Sequence, residues 1–233
     1  MRARTLSATA MLVGLALLPA ALSGCGSSSK GNGIAAKSPT EILAAAKVLA
    51  DRATSVHVSG SLLSGGSPIT LDMHLLASKG GRGKLSENGL GFELIQIHGT
   101  VFIKGSPAFY RHVAGPAAAQ LLQGRWLKAP ASTGSLASLA SLTNLHQLVD
   151  TTLAAHGALV KGASTTVGGK KVIAITDTSQ GGTLYVAAEG PPYPIAVSKS
   201  GAGSGKVAFE DWNGPVSVTA PENAIDITQL AGH

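Results

Sequence analysis

Apolar side chains recur at every second position through much of this chain, and a period of two admits only the β-strand. Val56, Val58 and Leu62 alternate with His57, Ser59 and Ser61. After the turn Gly65-Gly66-Ser67-Pro68, Ile69, Leu71, Met73 and Leu75 alternate with Thr70, Asp72 and His74. The pattern predicts a hairpin with one apolar face. Further strands are expected at 83–87, 92–98 and 100–104, separated by the short turns Asn88-Gly89 and His98-Gly99, so that five antiparallel strands run in succession. The period returns at 158–167, 172–177, 182–187, 195–199, 206–212 and 216–219, with Gly-rich turns at 168–170 and 201–205.

Helices are expected before and between these runs. Ser38-Pro39-Thr40-Glu41 is a capping box with Pro at the first helical position, and Ile42, Leu43, Ala46, Leu49 and Ala50 follow at helical spacing, which predicts a helix over 39–53. Residues 107–112 and 116–122 read as short helices, and Arg125-Trp126-Leu127-Lys128 as a brief extended piece. Leu142, Leu145, Leu148, Val149 and Leu153 share one face of a helix over 136–155. The sum is an α+β chain of roughly ten or eleven strands and three or four helices. A single antiparallel sheet of that size curls, because twist accumulates from strand to strand. Helices laid on its concave apolar face can close a cavity. Val58, Leu62, Leu71, Met73, Leu75, Val101, Ile103, Leu184, Val186, Ile195 and Val197 are the candidate residues of that face, with a closed core packed by the helices as the alternative for each. Phe92-Glu93-Leu94-Ile95-Gln96-Ile97 is apolar on both parities, which leaves its faces open.

The N-terminus points to an address. Arg2 and Arg4 precede an apolar stretch, 8–22, broken only by Thr9, Gly14 and Pro19. This is a secretory leader over 1–24, shorter than the ~20 apolar residues of a membrane-spanning helix. Leu22-Ser23-Gly24-Cys25 looks like the bacterial lipobox, in which small residues admit an extended segment to the signal peptidase and the thiol takes a diacylglyceryl group. Cys25, the chain's single Cys, is the lipidation residue on this reading, an incidental thiol being the alternative. Gly26-Ser27-Ser28-Ser29-Lys30-Gly31-Asn32-Gly33 is Gly/Ser-rich, so 25–37 is expected to be a flexible tether and 38–233 one domain. At ~0.8 kcal/mol per buried CH₂, acyl chains on Cys25 would hold the protein on the outer, extracytoplasmic face of the cell membrane.

Other chemistries find little support. The net charge of +6 (18 Lys+Arg less 12 Asp+Glu) is modest. With no Lys/Arg stripe or RNA-binding aromatic motif beside it, no nucleic acid is expected as a partner. One Cys excludes an internal disulfide and a four-cysteine zinc site. His57, His74, His98, His112, His146, His156 and His233 are scattered, without an H-x-x-x-H pair, so solvent-facing or cross-strand roles are the default and no metal or cofactor is expected. The loop before Lys206 departs from a phosphate loop, with Ser200 and Val207 standing where Gly and Ser/Thr are needed. No G-x-S-x-G elbow occurs, and the Ser29-Lys30 pair lies in the tether, where burial cannot lower an amine pKa. No catalytic residue is assigned and the chain is not read as an enzyme. Aromatic residues make up only 4 %, so an aliphatic lining suits acyl chains better than sugars.

With these elements in order, the chain resembles the LppX/LprG-type lipoproteins of actinobacteria, relatives of the LolA/LolB lipoprotein carriers. The lipobox, tether, capped first helix, meander, helical insert and second meander follow in the same succession, and the resemblance covers about 38–227. Val101-Phe102-Ile103-Lys104, Gly124-Arg125-Trp126-Leu127-Lys128, Pro192-Tyr193-Pro194-Ile195 and Phe209-Glu210-Asp211-Trp212-Asn213-Gly214-Pro215-Val216 are similar to strings of that family. The resemblance implies a half-barrel sheet capped by helices, holding an acylated lipid or glycolipid in an apolar cavity and carrying it within the envelope, with an envelope transporter as protein partner. The alternative of a different class is a structural or interaction lipoprotein with a filled core.

Overall fold

A computed structural model of the chain describes residues 31–229, leaving out 79, 134–135, 155–156, 180 and 202. The leader, Cys25, residues 26–30 of the expected tether, His156 and His233 lie outside the described residues.

The chain enters the fold earlier than its composition predicts. Residues 31–37, expected as the end of a flexible tether, are pinned. The Asn32 side chain donates to the carbonyls of Ala187 (2.9 Å) and Gly190 (2.8 Å), and Ile34 is buried in the main core at the start of a 3₁₀ turn, Ile34–Ala36. Lys161 Nζ donates to the carbonyls of Ala35 and Lys37. A single apolar residue with a socket outweighs the flexibility of the Gly/Ser chain around it. Helix α1 (Pro39–Asp51) follows with the expected capping box: the Ser38 hydroxyl accepts from the Glu41 N–H, and the Glu41 carboxylate accepts from the Ser38 N–H at 2.9 Å. The Ser38 hydroxyl, donating to the Glu41 carboxylate at 2.6 Å, and then the Ser38 N–H hold the Glu41 pKa below the ordinary carboxylate value. The helix buries Ile42, Ala46 and Ala50, one face at a spacing of four.

The strands are β1 (Ser55–Ser64), β2 (Ser67–Leu76), β3 (Gly80–Glu87), β4 (Leu90–Ile97), β5 (Thr100–Gly105), β6 (Leu127–Pro130), β7 (Leu159–Val167), β8 (Lys170–Asp177), β9 (Gly182–Ala187), β10 (Pro194–Lys199), β11 (Gly205–Glu210) and β12 (Ile225–Asp226). They form one sheet in the order β12-β6-β5-β4-β3-β2-β1-β11-β10-β9-β8-β7. Among the described residues every pairing is antiparallel except β12 on β6. The sheet thus holds one strand more than the upper expectation. Two strands were not expected as such: β6, read only as a brief extended piece, and the two-residue β12, too short to carry a period. Residues 216–219, expected as a strand, join no ladder. Val216 and Val218 are half-buried and Pro215 and Ser217 exposed, so the alternation is real, but the segment is an extended strap running from the end of β11 to β12.

Two meanders, β1–β6 and β7–β11, meet at the β1–β11 pair, where the backbones come unusually close. A Cβ at Gly60 would lie 2.2 Å from the Lys206 carbonyl oxygen. The sheet is curled and open. Leu85 of β3 and Val197 of β10, four strand steps apart, line one cavity, whereas a flat sheet would separate them by ~19 Å.

The helices lie where the topology sends them. Helix α2 (Pro107–Leu122) joins β5 to β6, with non-helical backbone at Gly115 (φ 81°, ψ 171°) before Pro116, so the two expected short helices form a kinked pair. The chain then leaves the sheet beside the β12 edge and returns at the opposite edge as β7, which carries α3 (Leu136–Ser141) and α4 (Leu145–Thr152) across the concave face. The single helix expected over 136–155 is broken here. Thr143 is fully buried, its hydroxyl bonded to Gln96 Oε1 and to the Ala140 carbonyl, and Asn144 restarts the helix by accepting from the Gln147 N–H. Among the described residues no helix is long and apolar enough to cross a membrane.

Ile34→Ala, which empties the socket holding residues 31–37, is expected to cost about 2–5 kcal/mol in a urea unfolding curve. A cost below ~0.5 kcal/mol would mean that this segment is not part of the fold.

Candidate functional site

The pleat sorts the central strands into two faces, and the inner one is mostly apolar from β4 to β8. The register runs Phe92, Leu85, Leu71, Gly60, Val207, Val197, Leu184 and Ile175 from β4 to β8 in one continuous row. A second row, Ile103, Leu94, Gly83, Met73, Val58 and Phe209, lies beside it. Helix α4 covers part of this surface: Leu145, Val149 and Leu153 are buried in the core, while Leu148, Thr151 and Thr152 turn toward the sheet farther along. Between them is a cavity of about 350 Å³. It is lined by Val58, Leu62, Leu71, Met73, Leu75, Leu85, Val197, Val207 and Phe209 from the strands and by Ser141, Leu142, Gln147, Leu148, Thr151 and Thr152 from α3, α4 and their link. Its polar groups are uncharged and all come from the helical side.

An ion pair fixes the lid from outside. Lys47 of α1 contacts Asp150 of α4 and Asp51 (3.3 Å), and the Asp150 carboxylate holds the Lys47 ammonium above its ordinary pKa. Under α2, the Tyr110 hydroxyl accepts from the Gly105 N–H (2.9 Å) and donates to the Arg125 carbonyl, and burial raises its pKa.

The structure distributes the eleven sequence candidates over more than one place. Val58, Leu62, Leu71, Met73, Leu75 and Val197 line the cavity under α4. Val101 and Ile103 line a cleft of about 260 Å³ beneath α2, with Tyr110, Val113 and Leu127. Leu184, with Val197, borders a third cleft of about 240 Å³ beside Leu43, Leu153 and Ile175, and Val186 is fully buried in the packed core. Ile195 is a correction: it sits with Val172 and Ala187 in a small cluster on the outer face. The register of β10 on β9 shifts between Pro194 and Ala196, and this bulge reverses the parity that the alternation implies. Sequence reasoning missed Leu85, Val207 and Phe209. Leu85 closes a Gly-rich strand with little alternation, whereas Val207 and Phe209 alternate with Lys206, Ala208 and Glu210 and were within reach.

No protein-family model matches the chain, and no curated protein matches it. Solved structures do. LprF from Mycobacterium bovis aligns over 78 % of this chain and 96 % of its own, with a TM-score of 0.55 and 11 % identity. The lipoprotein LppX from Mycobacterium tuberculosis aligns over 78 % of this chain and 100 % of its own, with a TM-score of 0.53 and 19 % identity. The fold is that of the LppX/LprG-type lipoproteins. At these identities the likeness concerns the backbone: an LppX/LprG-type sheet with the helical connection laid over its concave side, while the lining of the cavity is this chain's own.

Leu71→Trp and Leu94→Trp test whether the space is real, since both residues belong to the inner face but only Leu71 borders the cavity. Denaturant unfolding is expected to show a loss under ~1 kcal/mol for Leu71→Trp and at least ~1–3 kcal/mol for the fully buried Leu94. Equal losses would mean that side chains already fill the interior.

Proposed function

We propose that this chain is a lipoprotein moored by an acylated Cys25 to the outer face of the cell membrane, and that its cavity takes up an acyl chain of a lipid or glycolipid and carries it within the envelope. The observation that carries this reading is the apolar cavity between the sheet and α4. Its charge-free lining favours hydrocarbon over ions or sugars. At ~30 Å³ for a water-sized group, 350 Å³ takes on the order of a dozen methylene-sized units. At ~0.8 kcal/mol per methylene that is roughly 10 kcal/mol of gross transfer free energy, against an association cost of about 4–15 kcal/mol. One chain in the closed cavity is therefore marginal. Tight binding of a multi-chain lipid needs α4 to lift and the neighbouring clefts to join the cavity. An envelope transporter is the fitting partner for hand-over, and no catalytic step is assigned.

A second reading keeps the mooring and drops the cargo: an interaction lipoprotein with a filled core. It is favoured by the near-complete burial of Val58 (2 % exposed), Met73 (3 %) and Leu75 (1 %).

Every described element lies after residue 30, so a chain starting at Gly26 retains the whole sheet and its helices. Mass spectrometry of that chain, purified without detergent from an envelope-containing host, is expected to find an acylated species near one per protein, lost in Leu71→Trp. Repeated recovery of lipid-free protein decides for the filled-core reading. In the full chain, Cys25→Ser is expected to abolish palmitate labelling and to release the protein from the membrane fraction; continued labelling would overturn the mooring.

A further inference from the structure

The outer face of the same hairpin carries a different chemistry. His57 of β1 and His74 of β2 stand directly opposite each other, their rings stacked 4.3 Å apart at 15°. Asp72, two residues before His74, meets His57 Nε2 at 2.8 Å. On the other side of His57, Glu210 of β11 is its direct cross-strand partner and places Oε2 3.7 Å from Nδ1. His57, Asp72 and His74 each present a ligand atom, the three lying within 4.8 Å of one another.

We propose that His57, His74 and Asp72 bind a divalent transition-metal ion of the zinc type, with Glu210 orienting His57 through Nδ1. Two imidazoles and a carboxylate are the donor set that suits zinc and its neighbours, and three protein ligands leave a fourth position for water or a partner's side chain. Metal–ligand bonds of ~2.0–2.2 Å require ligand atoms little more than 3 Å apart. The His57–Asp72 pair already meets this when the metal replaces the shared proton. His74 meets it by turning out of the stack, which its place on a half-open outer face allows. Glu210 completes the carboxylate–histidine–metal relay that fixes a tautomer and strengthens the ligand. The fourth position has room, because Asp72 and His74 border a cleft of about 280 Å³ with Arg82, Glu93 and Trp126.

The surrounding charge is compatible with a cation. From β3, Arg82 faces His74 and Lys84 faces Asp72. From β11 comes Glu210, and just past its end Asp211. Three carboxylates, Asp72, Glu210 and Asp211, thus oppose two basic groups. Burial, then His57 and Arg82, hold the His74 pKa below its ordinary value. The site shares no side chain with the cavity under α4, and it stands whether or not that cavity holds lipid.

The test uses the full chain in a nonionic detergent, with Cys25→Ser removing the single thiol, titrated with Zn²⁺ in a calorimeter at pH ~7.5 and ~5.5. One ion per chain is expected at the higher pH, with much weaker binding at the lower, where protons compete with the metal for its ligands. His57→Gln and His74→Gln should each raise Kd tenfold or more, and Glu210→Gln about tenfold. His98→Gln, at an exposed turn, should leave it unchanged. Co²⁺ in place of Zn²⁺ should give a visible absorption band that both His57→Gln and His74→Gln remove. Matching circular dichroism and melting curves confirm that the variants remain folded. Absence of stoichiometric binding, or binding indifferent to both His57→Gln and His74→Gln, overturns the proposal.

Discussion

Strand β1 is the element on which the rest of the molecule depends. It pairs with β2 on one side and β11 on the other, and so holds the two meanders in one sheet. Its register decides which face every other side chain joins. Because the side-chain period is two, a slip of one residue on β2 would move Leu71, Met73 and Leu75 to the outside and put Asp72 and His74 in the core. Two features prevent that slip. The two-residue turn Gly65-Gly66 has both φ values positive (57° and 83°), the geometry of a tight hairpin turn, and it permits only the observed alignment from Ser64↔Ser67 to Ser55↔Leu76. On the other flank, Gly60 lets β11 approach where any Cβ would collide with the Lys206 carbonyl.

Most of the sheet was legible because its strands are built from Val, Ile and Leu alternating with Ser, Thr, Lys and His, and that alternation is a direct record of a one-sided sheet. The alternation fails where the backbone departs from the plain pleat. At β10 the bulge before Ala196 turns Ile195 outward, and no composition signal marks it. In β3, Gly80, Gly81 and Gly83 carry no side chain to alternate, so the strand's lower half and the role of Leu85 stay hidden. The break at Thr143 was hidden for another reason. Its cause is the buried hydrogen bond to Gln96, a residue 47 positions away, and local spacing cannot report a long-range partner. Ile34 belongs with it: one apolar residue among Gly, Asn and Ala predicts nothing until its socket is known.

The cavity lining and the outer cluster show the same limit differently. The parities of His57 and His74 follow from alternation alone, but their meeting follows from register, and the approach of Glu210 needs the β1–β11 pairing, which sets His57 opposite a residue 153 positions on. In the same way Val58, Leu62, Leu71 and Met73 are readable as one face, while the helical wall of the cavity depends on the chain crossing the sheet between β6 and β7. What a strand can do locally is written in its own residues. What two faces of one hairpin do is set by what the rest of the chain lays against them.

The lid shows how unevenly that layering is held. Leu145, Val149 and Leu153 sink into the core on one side of α4, and each such burial contributes about 1.5–3 kcal/mol. On its solvent side the helix is held to α1 by Lys47 and Asp150, whose side chains are 36 % and 66 % exposed, and a pair so open to water contributes about 0–1 kcal/mol. Leu148, Thr151 and Thr152 border the cavity farther along the helix. On the proposed reading, the uptake of a lipid therefore parts Lys47 from Asp150 before it disturbs the buried stripe of α4. The apolar row runs on beyond the cavity, from Leu71 through Val207 and Val197 to Leu184 and the neighbouring cleft.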